Sequence, residues 1–119
     1  MLKDYKFLKT ITVLGIGRVG IYLQVEEDSL QIDSFCEQDK KDIEKRLNRG
    51  DIWAWAFVQV LAMPENITEV FGIAAMGACN YDDEEQFLSC DCYSETESLA
   101  IEDLSTKLKD LKERLAQLE

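Results

Sequence analysis

The sequence predicts one α+β domain, an antiparallel sheet of about four strands with elements in the order ββαββαα. Three observations predict it. Apolar residues alternate with period two on either side of a glycine-rich turn near the start. A second pair of apolar runs follows Gly50, and the end of the chain carries leucines at alternating three- and four-residue spacing. At 119 residues the chain has room for one modest core rather than two, so 1–119 reads as a single domain.

Each element has its own signal. Residues 7–14 alternate in part, and Val19, Ile21, Leu23 and Val25 alternate with Gly20, Tyr22, Gln24 and Glu26, so Gly15-Ile16-Gly17-Arg18 reads as the turn of a hairpin. Residues 29–35 read as an irregular connection. A helix follows over 36–48, with Asp33 or Ser34 as cap, Ile43 and Leu47 as its buried stripe and Gly50 as its stop. Residues 51–63 read as a strand buried on both sides, with Trp53, Trp55, Phe57, Gln59 and Leu61 on one face and Ile52, Ala54, Ala56, Val58 and Val60 on the other. The two tryptophans then point one way, either into the core or toward a partner as aromatic anchors.

After the turn Pro64-Glu65-Asn66, residues 67–76 supply a partner strand that runs into Gly77-Ala78-Cys79-Asn80. Asp82-Asp83-Glu84-Glu85 places negative charge in the first turn of a short helix ending near Ser89, where the macrodipole favours it. Cys90-Asp91-Cys92-Tyr93-Ser94 reads as a break before a long helix over about 96–118. In that helix Ile101, Leu104, Leu108, Leu111, Leu115 and Leu118 form a narrow seam, suited either to packing on the domain's own sheet or to a homodimer. The two last helices are expected to cover one face of the sheet.

Charge is distributed unevenly. The net charge is −11, yet residues 1–50 balance nine Lys/Arg against nine Asp/Glu while 51–119 hold four against fifteen. The stretch 50–106 contains no base at all. Such a surface either serves solubility or engages a basic cleft, and by displaying carboxylates densely it can imitate the phosphates of a nucleic acid. Direct nucleic-acid binding is disfavoured. The chain has no histidine, which removes a Ser-His-Asp triad, a Cys-His pair and a His-ligated zinc. No apolar run approaches the roughly 18 residues of a membrane span. The start carries an acid and lacks a small-residue cleavage site, so the expected address is the cytoplasm, without a secretory signal.

Three motifs compete for a chemical role. Gly15-Ile16-Gly17-Arg18-Val19-Gly20 matches G-x-G-x-x-G, with Asp33 placed 18 residues after Gly15, near where a dinucleotide site puts its ribose-binding acid. The helix such a site requires after Gly20 would be a segment that alternates with period two, so the glycines of a hairpin turn explain the match as well. Cys36, Cys79, Cys90 and Cys92 show no C-x-x-C pair and no common zinc spacing. They read as free thiols, although a Cys-Asp-Cys turn brought near Cys79 could bind a metal or form a disulfide, and the acidic surroundings would oppose thiolate formation. Consecutive acids at Asp82, Asp83, Glu84 and Glu85 diverge in direction, which makes them a negative patch rather than an acid/base constellation. No cofactor or metal is expected.

The residues Gly50-Asp51-Ile52-Trp53-Ala54-Trp55-Ala56-Phe57-Val58-Gln59-Val60, then Gly77-Ala78-Cys79-Asn80-Tyr81 and the acidic helix start at 82–87, resemble a set of small proteins of bacteriophages, plasmids and other mobile elements. The likeness covers about 47–104, and the chain departs from the pattern at Met63-Pro64-Glu65-Asn66 and at Cys90-Asp91-Cys92. The resemblance implies a mobile-element accessory protein and nothing catalytic. The expected function is therefore non-enzymatic: an acidic protein that blocks a basic, nucleic-acid-binding site on a host protein, such as a defence nuclease. Its contact residues are expected among Asp82, Asp83, Glu84, Glu85, Asp91, Glu95, Glu97, Glu102 and Asp103. The alternatives are nucleotide binding through Gly15, Gly17 and Gly20, and a structural dimer held by the terminal leucine seam.

Overall fold

The computed structural model describes residues 4–29, 37–67 and 69–118. Four antiparallel strands, β1 (Lys6–Val13), β2 (Gly17–Glu27), β3 (Ala56–Pro64) and β4 (Gly72–Cys79), form one sheet in the order β1-β2-β3-β4. The helices are α1 (Glu37–Asn48) between β2 and β3, and α2 (Glu84–Leu88) and α3 (Asp91–Gln117) after β4. The predicted ββαββαα domain is the observed one. Cys36 and the cap candidates Asp33 and Ser34 lie outside the described residues, as does most of the 29–35 connection.

Register decides which side chains meet the helices. Ile21 pairs with Ala62, Leu23 with Val60 and Val25 with Val58, while Val58 and Val60 pair with Met76 and Ala74. These residues share one face with Val19, and on that face Val19, Ile21, Val58, Val60 and Ala62 are fully buried together with Phe87, Ala100 and Leu104. α3 runs back along β4. Thr96 lies against Met76, Asp103 accepts the Ile73 N–H at 2.9 Å, and Lys107 donates to Phe71 O at 3.0 Å. The aspartate, held by that N–H and by Lys107 at 2.9 Å, keeps its carboxyl below the usual range. Gly72 is where helix and strand touch backbone to backbone: a Cβ built there would stand 2.5 Å from the Leu104 nitrogen.

The segment after Gly50 departs from the expected long strand. Asp51 accepts the Trp53 N–H at 3.2 Å and starts a 3-10 turn over Ile52–Ala54, so the strand begins only at Ala56. A short carboxylate at a turn start offers the backbone a local bond that competes with the ladder. The tryptophans consequently part company. Trp53 packs beside Phe87, with ring centroids 5.3 Å apart, whereas Trp55 is buried with Ile43 and Ala54 in a second small cluster against α1. Trp55 is a core residue, whereas Trp53 is half-buried. The partner strand also begins later than expected, at Gly72 rather than 67.

The Cys90-Asp91-Cys92 break is shorter than predicted. Only Ser89 and Cys90 interrupt the helices, because Cys90 is already the extended N-cap residue of α3. The leucine seam divides accordingly. Leu104 is fully buried and Ile101 and Leu108 pack on the core, but Leu111, Leu115 and Leu118 continue the stripe past the end of the sheet into solvent. Among the described residues, no helix is long and apolar enough to cross a membrane.

Candidate functional site: an acidic ridge

The ridge starts at the 81–83 turn, which is fastened from three sides. Asn80 Nδ2 donates to Ala54 O at 2.8 Å, Tyr81 N donates to Trp53 O at 2.9 Å, and Arg46 of α1 donates to the carbonyls of Tyr81 and Asp82. Arg46 also holds Asp51 at 2.8 Å. This half-buried guanidinium is spent on backbone carbonyls and on Asp51, so it positions the acids without neutralising their carboxylates. The sequence offered no signal for it, because 35 residues separate Arg46 from Tyr81.

The nine acids singled out in the sequence fall into two groups. Asp83 caps α2 by accepting the Gln86 N–H at 2.9 Å, while Gln86 reaches back to accept the Asp82 N–H at 2.6 Å. Glu84 pairs with Lys6 of β1. Glu97 pairs with Lys9 at 2.8 Å and accepts the Tyr93 hydroxyl at 2.9 Å, and Asp103 is the strand tether described above. Each of these four carboxylates holds a partner within the chain, Asp83 while itself exposed. The remaining five, Asp82, Glu85, Asp91, Glu95 and Glu102, are exposed and carry no ion pair among the described residues.

Helical geometry aligns three of them. Positions 91, 95 and 102 are separated by four and seven residues, so Asp91, Glu95 and Glu102 lie along one outer stripe of α3 spanning roughly 16 Å. Leu99, 58% exposed, sits within this stripe beside Ser94 and Ser98 in a shallow apolar depression. Asp82, in the turn before α2, and Glu85, in its first turn, are further exposed carboxylates, and Glu95 borders the depression at Leu99.

The glycine motif has a conformational explanation. Gly15 and Gly17 adopt φ of +88° and +106° in the turn between β1 and β2, which the Ile16 N–H closes onto Val13 O at 3.0 Å. Side chains rarely enter that region, so glycine is required by the turn itself. Gly20 continues as strand, and no helix N-terminus stands after it to receive a pyrophosphate.

The chain matches no protein-family model, no curated protein and no solved structure.

The cysteines are placed unevenly. Cys79 is buried, its thiol against Met76 O at 3.5 Å, and burial pushes it up to about 11. Cys90 behaves in the opposite sense. Burial works against its ionisation, but the Tyr81 hydroxyl 3.5 Å away, the N–H groups of Tyr93 and Cys92, and the Cys92 thiol outweigh that and bring it below the usual thiol range. None of those N–H groups closes a cap hydrogen bond to the sulfur. The Cys90 thiol itself donates to Phe87 O at 2.9 Å. Among the described residues, no group of three His, Cys, Asp or Glu side chains is arranged to hold a metal ion.

Proposed function

We propose that this protein is a non-enzymatic acidic binding protein of phage or mobile-element origin, which occupies the basic, nucleic-acid-binding site of a host protein. The observation that carries this reading is the ridge of Asp82, Glu85, Asp91, Glu95 and Glu102, five exposed carboxylates without an ion pair among the described residues. The stretch 50–106, which contains them, has no base to neutralise them. Carboxylates along one helix face, at rises of about 6 and 10 Å, present a line of negative charge to a cationic groove, more widely spaced than the phosphates of a duplex strand. A host defence nuclease is a partner of the required chemistry. The expected setting is the cytoplasm of a bacterial host.

The test uses immobilised protein and host lysate at low and moderate salt, with duplex DNA as competitor. A captured nucleic-acid-binding protein that DNA displaces is the expected result. Changing the five ridge acids to Asn or Gln should leave the fold intact, since none has an ion pair among the described residues and the amide of Asp82→Asn can still accept from Gln86 Nε2, 3.5 Å away. The same change should weaken partner binding about tenfold or more at low salt and flatten its salt dependence. Unchanged affinity and salt slope in that variant would sink the proposal.

A second reading is favoured by one specific observation. Leu111, Leu115 and Leu118 extend the apolar stripe of α3 off the end of the sheet, at 38, 56 and 82% exposure, which suits self-association. On that reading Leu111→Glu combined with Leu115→Glu converts a dimer into a folded monomer, checked by light scattering and circular dichroism. A wild-type chain that is already monomeric at high concentration removes it.

A further inference from the structure

We propose that the sheet face turned away from α3 is the interface of a homodimer, in which two copies pack sheet on sheet with their strands antiparallel. Residues paired across neighbouring strands share a face, so the register assigns it. Phe7 pairs with Tyr22, Tyr22 with Leu61 and Leu61 with Ile73, an apolar row that crosses all four strands. The rows on either side of it are Thr10-Gly20-Met63 and Gln24-Gln59-Ala75. Among the described residues the helices leave this face open: α2 and α3 pack on the opposite one, and α1 packs on the 3-10 turn before β3.

The composition of the face is wrong for a surface kept in water. An antiparallel sheet with one solvated side ordinarily alternates apolar residues inward with polar or charged residues outward. Charged residues make up 31% of this chain, yet the three central rows carry none. Phe7 is 54% exposed with its ring edge-on to Tyr22, centroids 5.5 Å apart, and Tyr22 and Ile73 are half-buried. Even the central amide is engaged within the chain, since the Tyr5 hydroxyl donates to Gln59 Oε1 at 2.6 Å.

The charges at the two ends select a second copy as the occupant. Arg18 and Glu26 lie on this face toward opposite ends of β2, separated by about 26 Å at the rise of a strand. The Arg18 side chain is 68% exposed although it holds Glu65 at 2.9 Å, and Glu26 is exposed without an ion pair among the described residues. A two-fold axis lying in the interface and crossing the strands at Tyr22 sets Arg18 of each copy over Glu26 of the other, which makes the face complementary to itself. Stacked sheets pack about 10 Å apart and within about 30° of alignment, as this arrangement requires. Strands of about eight residues, about 4.8 Å apart, give a face of roughly 500 Å² per copy; the pair then buries about 1,000 Å², where specific interfaces begin. A weak, concentration-dependent dimer follows from that size. The acidic ridge lies on the other side of the sheet, so two chains of net charge −11 meet with their ridges pointing apart.

The experiment measures sedimentation of the full chain from low to high micromolar concentration. The expected result is a shift from one chain mass to two as concentration rises. Gln24 makes no side-chain hydrogen bond among the described residues and Ala75 is exposed, so Gln24→Lys and Ala75→Glu each place a charge in a central row without removing a contact that holds the fold. Both should be monomers with wild-type circular dichroism and unfolding midpoint. Leu111→Glu with Leu115→Glu, which alters the α3 stripe instead, should dimerise as the wild type does. Glu26→Lys should weaken association several-fold at low salt, and Arg18→Glu in the same chain should restore it, because opposite charges again face each other across the two-fold. A wild type that stays monomeric, a folded Gln24→Lys or Ala75→Glu protein that still dimerises, a dimer abolished by the Leu111 and Leu115 changes, or a charge exchange that restores nothing would each overturn the proposal.

Discussion

Gly72→Ala is expected to be the most damaging single-methyl change in this chain. The added Cβ would stand 2.5 Å from the Leu104 nitrogen and 2.7 Å from the Leu104 Cβ, and closer still to the Ala100 carbonyl oxygen. Two of these three neighbours are helix backbone, so no side-chain rotation can make room. α3 would have to move off β4 and carry with it Leu104 and Ala100, both fully buried, and the Asp103 bond to Ile73. Overpacking of a core costs about 1–3 kcal/mol where side chains can adjust, and a clash with backbone belongs at or above the upper end of that range. For a domain whose total stability is of the order of 5–15 kcal/mol, the expected outcome is a transition lowered by 10 °C or more, or an insoluble product. Urea unfolding followed by Trp fluorescence measures it. A variant with wild-type stability would show that α3 does not lie this close to the strand.

The contrast between Gly72 and the turn glycines shows what the sequence could and could not disclose. Gly15 and Gly17 lie between two alternating runs, so local pattern was enough to read the hairpin, and the positive φ at both positions is the physical basis of that reading. Gly72 is demanded by a helix that begins 19 residues later, and nothing local marks it. The same division runs through the candidate site. Acidity was legible as composition, and the 50–106 stretch did contain the exposed ridge. Which acids are open was not legible, because Lys6 and Lys9 on β1 reach Glu84 and Glu97 across the sheet and Asp103 is drawn inward by the Ile73 N–H. The 51–63 reading gives the strand from Ala56 onward but starts it too early, for a related reason. Period two continues through Trp53 and Trp55, but Asp51 captures a backbone N–H and the chain turns before it extends. Pattern records which residues are apolar; it does not record a competing local hydrogen bond.

Phe87→Ala is expected to have the second large effect, because one ring joins three elements. Its side chain is fully buried, with centroids 5.3 Å from Trp53, 5.2 Å from Tyr81 and 5.6 Å from Tyr93. Trp53 belongs to the 3-10 turn before β3, Tyr81 to the connection after β4, and Tyr93 to the first turn of α3. α2 has only five residues and is too short to persist in water without tertiary contacts, so Phe87, its one fully buried side chain, is what docks it. Truncation to alanine removes that ring from the centre of the aromatic cluster, and a cost of about 3–5 kcal/mol is expected from comparable Phe→Ala changes. Phe87→Leu, which keeps much of the volume while losing the edge-to-face contacts, should cost distinctly less. The two variants also separate stability from the ridge. Asp82 and Glu85 flank this anchor, so a folded Phe87→Leu protein should retain the acidic surface and its salt-dependent partner binding, whereas Phe87→Ala should weaken both together. Equal unfolding midpoints for Phe87→Ala and wild type would mean that α2 is held by its cap and the Lys6–Glu84 pair alone, a result the burial of this ring argues against.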